Sequence, residues 1–209
     1  MKALLINGSP RPNGCTFTAL TELANTLEAE GIETEIVHVG NKDIRGCIAC
    51  RRCHSTGSNK CVFDDIVNEV APKLAEADAF VIGAPVYFGS PAGGAISFMD
   101  RLFFSTLNID KTMKVGASVV TCRRGGNTAS YDVLNKYFTM CGMPVASSQY
   151  WNMVYGGSAE EVAQDAEGLQ TMRVLGNNMA YLLHCKDIAE KSGLTAPQQE
   201  PMIFTNFIR

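Results

Sequence analysis

Two hydrophobic patterns alternate along the chain. Short runs that are almost continuously apolar are typical of strands buried on both faces of a sheet. Segments whose apolar residues recur every three or four positions, such as Leu20, Leu23 and Leu27, are typical of helices. The apolar runs predict five strands, at residues 2–8, 33–39, 79–86, 114–121 and 143–151.

A helical pattern follows each of these five runs or the loop after it. These patterns predict helices at residues 18–31, 66–74, 96–104 and 128–142, and one long helix from about Glu160 to Lys191. Strands that alternate with helices form a parallel sheet covered on both faces, so the pattern predicts a doubly wound α/β fold in one domain. Such folds bind ligands beyond the carboxyl ends of their strands, which directs attention to the loops after the first, third and fourth strands.

The composition narrows the possible function. A chain of 209 residues with 46% apolar content can bury a core without disulfides, and a net charge of −3 offers no basic surface for nucleic acid or an anionic membrane. We find no basic leader with an apolar stretch, and no apolar run near the roughly 18 residues of a membrane helix. We therefore expect a cytoplasmic protein with small-molecule or protein partners, in which clustered cysteines more often bind metal or do redox chemistry.

The loop after the first strand, "NGSPRPNGCT" at residues 7–16, has the composition of a phosphate site. Gly8 and Gly14 permit unusual backbone angles, and polar side chains stand beside the start of a helix, where free amides and the helix dipole favour an anion. The donors are Ser9, Arg11, Asn13 and Thr16. The loop has neither the Gly-Lys-Ser/Thr of a P-loop nor the G-x-G-x-x-G of dinucleotide folds. An ordinary strand-to-helix turn is the alternative.

The loops after the third and fourth strands carry the other candidate residues. "PVYFG" at 85–89 presents aromatic surface where a flat ring could lie, although core packing is the alternative for its aromatics. "TCRRGGNT" at 121–128 places two arginines and two glycines at the same edge of the sheet, with a solvated face as the alternative for the arginines. The histidines lie far apart along the chain, and we assign no acid-base residue.

Residues 47–61 hold four cysteines in the spacing C-x2-C-x2-C-x7-C. Three cysteines at intervals of three can converge on the corners of a 4Fe-4S cubane, with the fourth arriving from farther along. Zinc sites more often pair two C-x2-C units, so one triplet plus one cysteine fits zinc less well. A metal-free thiol cluster is the third possibility.

These motifs together resemble the flavodoxin-like NAD(P)H-dependent FMN reductases over nearly the whole chain. "GSPRPNGCT" is similar to their GSPR-x-x-G-N/S-T phosphate loop, and "CIACRRC" with Cys61 is similar to the compact cysteine motif of the iron-sulfur flavoproteins in that group. "APVYFGSPAGGAISFMDR" at 84–101 resembles the second flavin loop, and the terminal "TNFIR" recurs in the family. The resemblance implies a five-stranded parallel sheet in the order 2-1-3-4-5.

The resemblance also implies a set of cofactor sites. FMN is expected to contact the loop residues that follow strands one, three and four: Ser9, Arg11, Asn13, Gly14, Cys15 and Thr16; Pro85, Val86, Tyr87, Phe88 and Gly89; Thr121, Arg123, Arg124, Gly125 and Gly126. Cys15 stands where asparagine is usual in the family. The backbone contacts to the phosphate are still expected, but the contact that the asparagine side chain would make is in doubt. A 4Fe-4S cluster is expected on Cys47, Cys50, Cys53 and Cys61.

The domain organisation follows from the same alignment of motifs. We expect a flavodoxin-like FMN-binding domain at 1–193 with a cysteine-motif insertion at 40–62, and a C-terminal arm at 194–209. The arm is too rich in proline for a helix yet ends in Phe204, Phe207 and Ile208. An apolar segment without a core of its own, together with the family resemblance, predicts a homodimer or homotetramer with the arm and the cysteine loop near a subunit boundary.

Two functional classes fit these observations. The first is an FMN-dependent oxidoreductase that passes electrons from NAD(P)H or a ferredoxin to a small acceptor and carries the 4Fe-4S cluster. Its alternative is a cluster-free NAD(P)H:FMN or quinone reductase. The second is a flavodoxin-type electron carrier with no substrate of its own. Such carriers look shorter and strongly acidic, whereas this chain has a pI of about 5.6 and carries the extra cysteine and C-terminal segments. We therefore favour the enzyme.

Overall fold

The computed structural model describes residues 1–201 together with residues 203, 205 and 207. Five parallel strands form the sheet: β1 (Lys2–Asn7), β2 (Glu33–His38), β3 (Ala79–Tyr87), β5 (Val115–Cys122) and β6 (Met153–Tyr155). A sixth, two-residue strand, β4 (Ser90–Pro91), pairs antiparallel with the end of β3. The sheet order is β2-β1-β3-β5-β6. This is the flavodoxin-like order, so the predicted fold class is confirmed.

Helices cover both faces of the sheet. They are α1 (Cys15–Ala29), α2 (Arg52–Ser55), α3 (Ile66–Glu76), α4 (Gly93–Ser105), α5 (Asn127–Met140), α6 (Ala159–Val162) and α7 (Ala166–Lys191). Alternate strand residues point to opposite faces. Leu5 of β1 therefore packs with α1 and α7, whereas Leu4 and Ile6 pack with α3, α4 and α5. Both faces of β1 are buried, which explains its continuous apolar run.

The fifth parallel strand begins later than the predicted range 143–151. Val145 makes a single bridge to Gly116, after which the chain leaves the sheet. Tyr150 and Trp151 then lie at the surface with their ring centroids 5.3 Å apart. Regular pairing resumes at Met153, opposite Val120. The predicted run failed because the polar stretch 147–149 interrupts it and has no pairing of its own in the described structure.

The long C-terminal helix predicted from about Glu160 is two helices, α6 and α7. The break is at Asp165, whose carboxylate accepts hydrogen bonds from the backbone N–H of Gly168 at 3.0 Å and of Tyr155 at 2.7 Å. A side chain that caps a new helix must sit outside the preceding one, so the chain turns here. The same turn carries the residues after β6 toward the edge of the sheet where the strands end.

The residues after α7 have no regular structure where they are described. Ile203 and Phe207 are 89% and 91% exposed. Phe204 and Ile208, which the sequence also assigned to an apolar arm, lie outside the described residues. The division into a domain at 1–193 and an arm at 194–209 stays a prediction. Within the described ranges, no helix combines the length and the hydrophobicity needed to cross a membrane.

Candidate functional site

A cleft opens at the carboxyl ends of β1, β3, β5 and β6. Loops from all four strands contribute its lining: Ser9, Arg11, Cys15, Thr16, Pro85, Val86, Tyr87, Thr121, Cys122, Arg123, Gly156 and Gly157. Two of these residues are arginines, and no acidic side chain is among them. The cleft therefore suits an anionic ligand.

Hydrogen bonds within the first loop fix its shape before any ligand binds. The Asn7 side chain accepts from the Ser9 N–H at 3.1 Å and donates to the Pro12 carbonyl at 3.1 Å. The Ser9 hydroxyl accepts from the Arg11 N–H at 3.2 Å. From β2, His38 Nε2 lies 2.8 Å from the Ser9 carbonyl oxygen. These contacts hold the loop against the ends of two strands.

The start of α1 faces the cleft with its amides uncapped. Gly14 is the N-cap residue, it makes no side-chain capping bond, and the first turn holds no acidic residue. The free N–H groups and the helix dipole therefore remain available to an anion. Thr16 is fully buried, and its hydroxyl lies 2.9 Å from that of Thr121, which joins the loops after β1 and β5. Asn13 is exposed and does not line the cleft.

Cys15 occupies the side of the cleft next to the loop after β6. Its thiol lies 3.6 Å from the carbonyl oxygen of Gly156. Burial raises the pKa of this thiol, and the nearby helix amide and Arg11 only partly oppose that effect. The neutral thiol therefore forms part of the cleft wall beside the uncapped amides of α1.

The loop after β3 is a tight hairpin. Tyr87 pairs with Ser90, and the two residues between them, Phe88 and Gly89, have φ angles of 50° and 80°. Two consecutive positive φ values define a type I′ turn, which glycine adopts freely and a bulky aromatic rarely does. Phe88 is fully exposed, and Tyr87 is 48% exposed and lines the cleft. Neither ring is packed in the core: Tyr87 borders the cleft, whereas Phe88, which the sequence also assigned to the site, points into solvent and does not line the cleft.

The loop after β5 packs against this hairpin. Gly126 has φ of 86°, and a Cβ there would lie 2.6 Å from Gly89 Cα and 2.8 Å from a methyl carbon of Val86. Only glycine allows the two loops to approach this closely. Arg123 lines the cleft, whereas Arg124 and Gly125 are exposed outside it. The structure therefore separates the two arginines that the sequence presents together.

The sequence reasoning missed one wall of the cleft. Gly156 and Gly157 follow β6, and Cys122 at the end of β5 lies beside them, with its carbonyl accepting from the Gly156 N–H at 3.1 Å. The signal was present as "VYGGS", a strand ending in two glycines. It was overlooked because the fifth strand had been placed at 143–151, which moved its carboxyl end away from these glycines.

The four cysteines of the 47–61 segment line a second, shallow pocket. It lies between that segment and α4, and its lining includes Arg51, Phe63, Arg101 and Phe104. Cys53 in α2 is buried, Cys61 is partly buried, and Cys47 and Cys50 are exposed. Burial raises the pKa of the Cys53 thiol. The spacing noted in the sequence therefore does bring all four thiols to one cavity.

Contacts of His54 and of Cys61 attach this segment to the body of the protein. His54 Nε2 lies 2.9 Å from the Phe104 carbonyl oxygen, and the two rings stack with centroids 4.3 Å apart. Asn68 of α3 accepts from the Cys61 N–H at 2.8 Å and donates to the Cys61 carbonyl at 3.1 Å. The segment is thus fixed at Cys53–His54 and at Cys61. The exposed Cys47 and Cys50 lie between the end of β2 and Cys53.

All eight cysteines are free thiols. Among the described residues, no three His, Cys, Asp or Glu side chains are close enough together to hold a single metal ion. A cubane cluster makes a different demand, because each of its four cysteine ligands binds a separate iron, whereas a zinc ion draws all four thiolates to about 2.3 Å from one centre. The donor set, four thiols around one cavity, is the set that iron-sulfur clusters use.

Comparison with known proteins finds matches over most of the chain. The family model of NADPH-dependent FMN reductases matches residues 1–157, which include both the cleft and the cysteine segment. An iron-sulfur flavoprotein of Methanocaldococcus jannaschii is 34% identical over 190 residues, covering 88% of this chain and 97% of that protein. An iron-sulfur flavoprotein of Methanosarcina thermophila is 30% identical over 187 residues, covering 88% of this chain and 95% of that protein.

Solved structures show the same fold at lower sequence identity. RosB with a bound 8-demethyl-8-formylriboflavin-5'-phosphate intermediate superposes with a TM-score of 0.67 at 19% identity, covering 99% of this chain and 92% of RosB. An archaeal flavodoxin has a TM-score of 0.58 at 17% identity, covering 88% of this chain and 99% of the flavodoxin. At these identities the likeness concerns the fold alone.

Proposed function

This chain belongs to the NADPH-dependent FMN reductase family, in its iron-sulfur flavoprotein branch, and is a flavin-dependent oxidoreductase; we propose that it couples FMN to a 4Fe-4S cluster in one chain. The observation that carries the proposal is the convergence of Cys47, Cys50, Cys53 and Cys61 on one pocket beside α4. The same helix begins immediately after the hairpin that borders the flavin cleft. One rigid element therefore connects the two sites.

The residues of the first loop fit the phosphate of FMN. The uncapped amides at Gly14 and the first turn of α1 supply N–H donors and a favourable dipole for a dianion. Arg11 on the cleft wall adds a positive charge, and the Thr16 hydroxyl, held by Thr121, lies at the same helix end. The role proposed for this loop is to bind and orient the cofactor by its phosphate.

The loops after β3 and β5 fit the flavin ring. Tyr87 and Val86 offer a flat apolar wall, and Arg123 is placed to favour negative charge on a ring beside it. Bound FMN supplies hydride acceptance and one-electron transfer, which no side chain provides. The protein's part is to hold the ring between these loops and to limit its contact with water.

The cysteine pocket fits the cluster through its donor set. Four thiolates are needed, and four thiols are present. From Ala92, the N-cap of α4, to Arg101 at the cysteine pocket, the helix rises about 14 Å at about 1.5 Å per residue. A cluster would exchange single electrons with FMN in the same chain or in a neighbouring subunit.

The electron donor and acceptor belong to the proposal as well. We propose NAD(P)H or a ferredoxin as donor and a small molecule as acceptor, in the cytoplasm, with no role for nucleic acid or membrane. The cleft supports a small acceptor because Tyr87 is exposed at its border, where a second flat molecule can approach. The two curated relatives are described as iron-sulfur flavoproteins, which supports the cluster and leaves the donor to experiment.

We propose a homodimer or homotetramer from the exposed apolar side chains in the last turn of α7 and after it. Ile188 in that turn and Leu194 beyond it are 65% and 66% exposed, and Ile203 and Phe207 continue the same character. Exposed apolar groups clustered at one end of a chain mark association surfaces. Sedimentation at micromolar concentration tests this part, and a monomer would contradict it.

Anaerobic turnover tests the enzymatic part. Purified protein loaded with FMN is mixed with NADH or NADPH, and oxidation of the nicotinamide is followed with ferricyanide or a quinone as acceptor. Direct turnover supports an NAD(P)H-dependent oxidoreductase. Turnover that requires an added ferredoxin and its reductase assigns the donor to ferredoxin. Neither reaction, with FMN fully bound, would contradict the proposed chemistry.

A further inference from the structure

Arg101 of α4 is the most unusual buried residue outside the flavin cleft. Its side chain is 0% exposed, yet it carries a full positive charge. Burying a charge is costly unless it is paired and hydrogen-bonded. A guanidinium has five N–H donors, and here each has an acceptor, so the site is built for this side chain.

The partners of Arg101 are concentrated on the cysteine segment and the start of α3. The two terminal nitrogens bind Asp65 in a bidentate pair, at 2.6 and 2.9 Å, and also donate to the carbonyls of Arg45 and Phe63 at 3.4 and 3.3 Å. The remaining donor, Nε–H, points at the Cys61 sulfur from 3.3 Å. Four of the five donors therefore fix the guanidinium, and the fifth is directed at a thiol.

We infer that Arg101 is a positioning residue for the cluster: its Nε–H donates to the sulfur of Cys61 and raises the reduction potential of the 4Fe-4S centre. This inference rests on the proposed function. Hydrogen bonds to cluster sulfurs are one of the factors that set the potential. A reduced cluster carries one more negative charge than an oxidised one, so a donor and a buried positive charge beside a ligand sulfur stabilise the reduced form.

Asp65 acts in the opposite direction. Its carboxylate pairs with the guanidinium and also caps α3 by accepting from the Val67 N–H at 3.1 Å. An unneutralised Arg101 would place its whole charge beside Cys61. Asparagine is as good an N-cap as aspartate, so Asp65→Asn removes the negative charge and keeps the cap. The pair thus offers two substitutions with opposite expected effects on one potential.

Arg45 provides the matched control. Its guanidinium lies over the ring of Phe63 at 4.7 Å from the centroid, and Arg101 lies over the same ring at 5.0 Å. The Arg45 residue is exposed, and its side chain has no hydrogen bond to a cysteine sulfur among the described residues. Arg45→Gln therefore removes a nearby charge without removing a donor to sulfur, and water screens that charge.

The test is an EPR-monitored redox titration of anaerobically reconstituted, FMN-loaded protein. At the wild-type midpoint potential, we expect the ratio of reduced to oxidised cluster to fall about tenfold in Arg101→Gln, a shift of 59 mV for a one-electron couple. It should rise at least threefold in Asp65→Asn and change less than twofold in Arg45→Gln. Urea unfolding of each variant separates stability from potential.

Each outcome decides the inference. If Arg101→Gln does not fold, the potential is measured in Asp65→Asn and Arg101→Lys instead. Lysine keeps the positive charge but loses the forked geometry of the guanidinium. A cluster potential that is unchanged in both, or that moves downward in Asp65→Asn, overturns the role of Arg101 and leaves the cluster in place. Wild-type protein that takes up no iron overturns the cluster and this inference together, which the iron analysis shows before any titration.

Discussion

The flavin cleft and the cysteine pocket are built from different kinds of structure. The cleft lies where buried parallel strands end, and its loops are joined to one another by contacts such as Thr16 with Thr121 and Gly126 with Gly89. The cysteine pocket relies on α2, a helix of only four residues. Within the same segment Ala49, Arg51 and Asn59 all have positive φ, which residues with a Cβ seldom adopt.

This difference predicts different dependence on the ligand. A site formed by the ends of a packed sheet exists before its cofactor binds, as is usual for small-molecule clefts. If the cysteine segment holds the proposed cluster, its exposed cysteines and strained backbone should gain much of their order from the metal, because metal binding contributes folding free energy. Losing one cysteine should therefore empty the second site and leave the first unaffected.

The largest effect is expected from Cys50→Ala. Cys50 is exposed, so the substitution leaves the packing of the body intact, but a cubane with three thiolates would leave one iron open to solvent. We expect loss of iron and sulfide on reconstitution with FMN retained. Colorimetric iron and the visible spectrum measure both quantities in one sample.

Cys185→Ala is the matched control for that variant. Cys185 is also an exposed free thiol, but it lies on α7, away from the four-cysteine pocket. Its iron content should equal that of the wild type. If Cys50→Ala kept the wild-type iron content, Cys50 would not be a ligand. The proposed difference between the flavin cleft and the cysteine pocket would then be wrong.

The next effect concerns the phosphate end of the cleft. Thr16→Val keeps the shape of the side chain and removes the hydroxyl, so FMN binding should weaken by about 1.5 to 3 kcal/mol, the range for a hydrogen bond to a charged group. This corresponds to about 10- to 150-fold in Kd. Fluorescence titration of FMN measures it, with Thr18→Val as control, because the Thr18 hydroxyl bonds only to the Gly14 carbonyl, at 3.3 Å. Equal affinities in the two variants would place the phosphate elsewhere.

Gly126→Ala tests whether the ring end of the cleft depends on the close approach of two loops. A methyl group at φ of 86° and 2.6 Å from Gly89 Cα must displace the hairpin, at a cost of at least about 1 kcal/mol. We expect weaker FMN binding with unchanged cluster content. Gly125→Ala, at the neighbouring position with open space around it, should bind FMN normally. Weaker binding in both variants would indicate general loosening of the loop rather than this contact.

The smallest effect lies in the scaffold and should alter neither region. Glu35 on β2 pairs with Lys73 at 2.5 Å and Lys2 at 3.1 Å, and the hydrogen bond from Lys73 lowers the pKa of Glu35 below its usual value. A lowered folded-state pKa stabilises the protein above the unfolded pKa, and this contribution disappears as the pH falls through the folded pKa.

Glu35→Gln should therefore be less stable than wild type at pH 7, by under about 1 kcal/mol because the pair is partly exposed. The difference should begin to shrink as the pH falls below about 4.3, the usual pKa of an unfolded glutamate, and should vanish only below the lowered folded-state pKa. Urea unfolding across this pH range measures it, with FMN and iron contents as controls. A difference that persisted at low pH would have a cause other than charge.

The sequence predicted the sheet and the first region better than the second for a physical reason. Continuous apolar runs such as that of β1 record burial on both faces. The first loop follows β1 directly, so its position at the cleft could be predicted, although neither Gly8 nor Gly14 has the positive φ that the sequence allowed for. The fifth strand was misplaced, because a three-residue strand with one detached bridge leaves a weak pattern, and Gly156 and Gly157 were lost with it.

The role of Arg101 was also invisible in the sequence. In the pattern of α4 it is a charged residue beside Asp100 in an otherwise apolar helix, and nothing local distinguishes a solvated arginine from a buried one. Its burial depends on Asp65 and Cys61, which lie 36 and 40 residues away along the chain. The cysteine spacing predicts which side chains would ligate a cluster, whereas the groups that surround them, such as Arg101, are brought there by long-range packing.

The most direct test of the central claim is the ratio of iron, sulfide and FMN in one sample of wild-type protein after anaerobic reconstitution. The two regions described here predict about four iron and four sulfide for each FMN, held by Cys47, Cys50, Cys53 and Cys61. Substoichiometric iron with FMN fully bound would contradict the claim, and would leave the four cysteines as loop residues of a cluster-free FMN reductase.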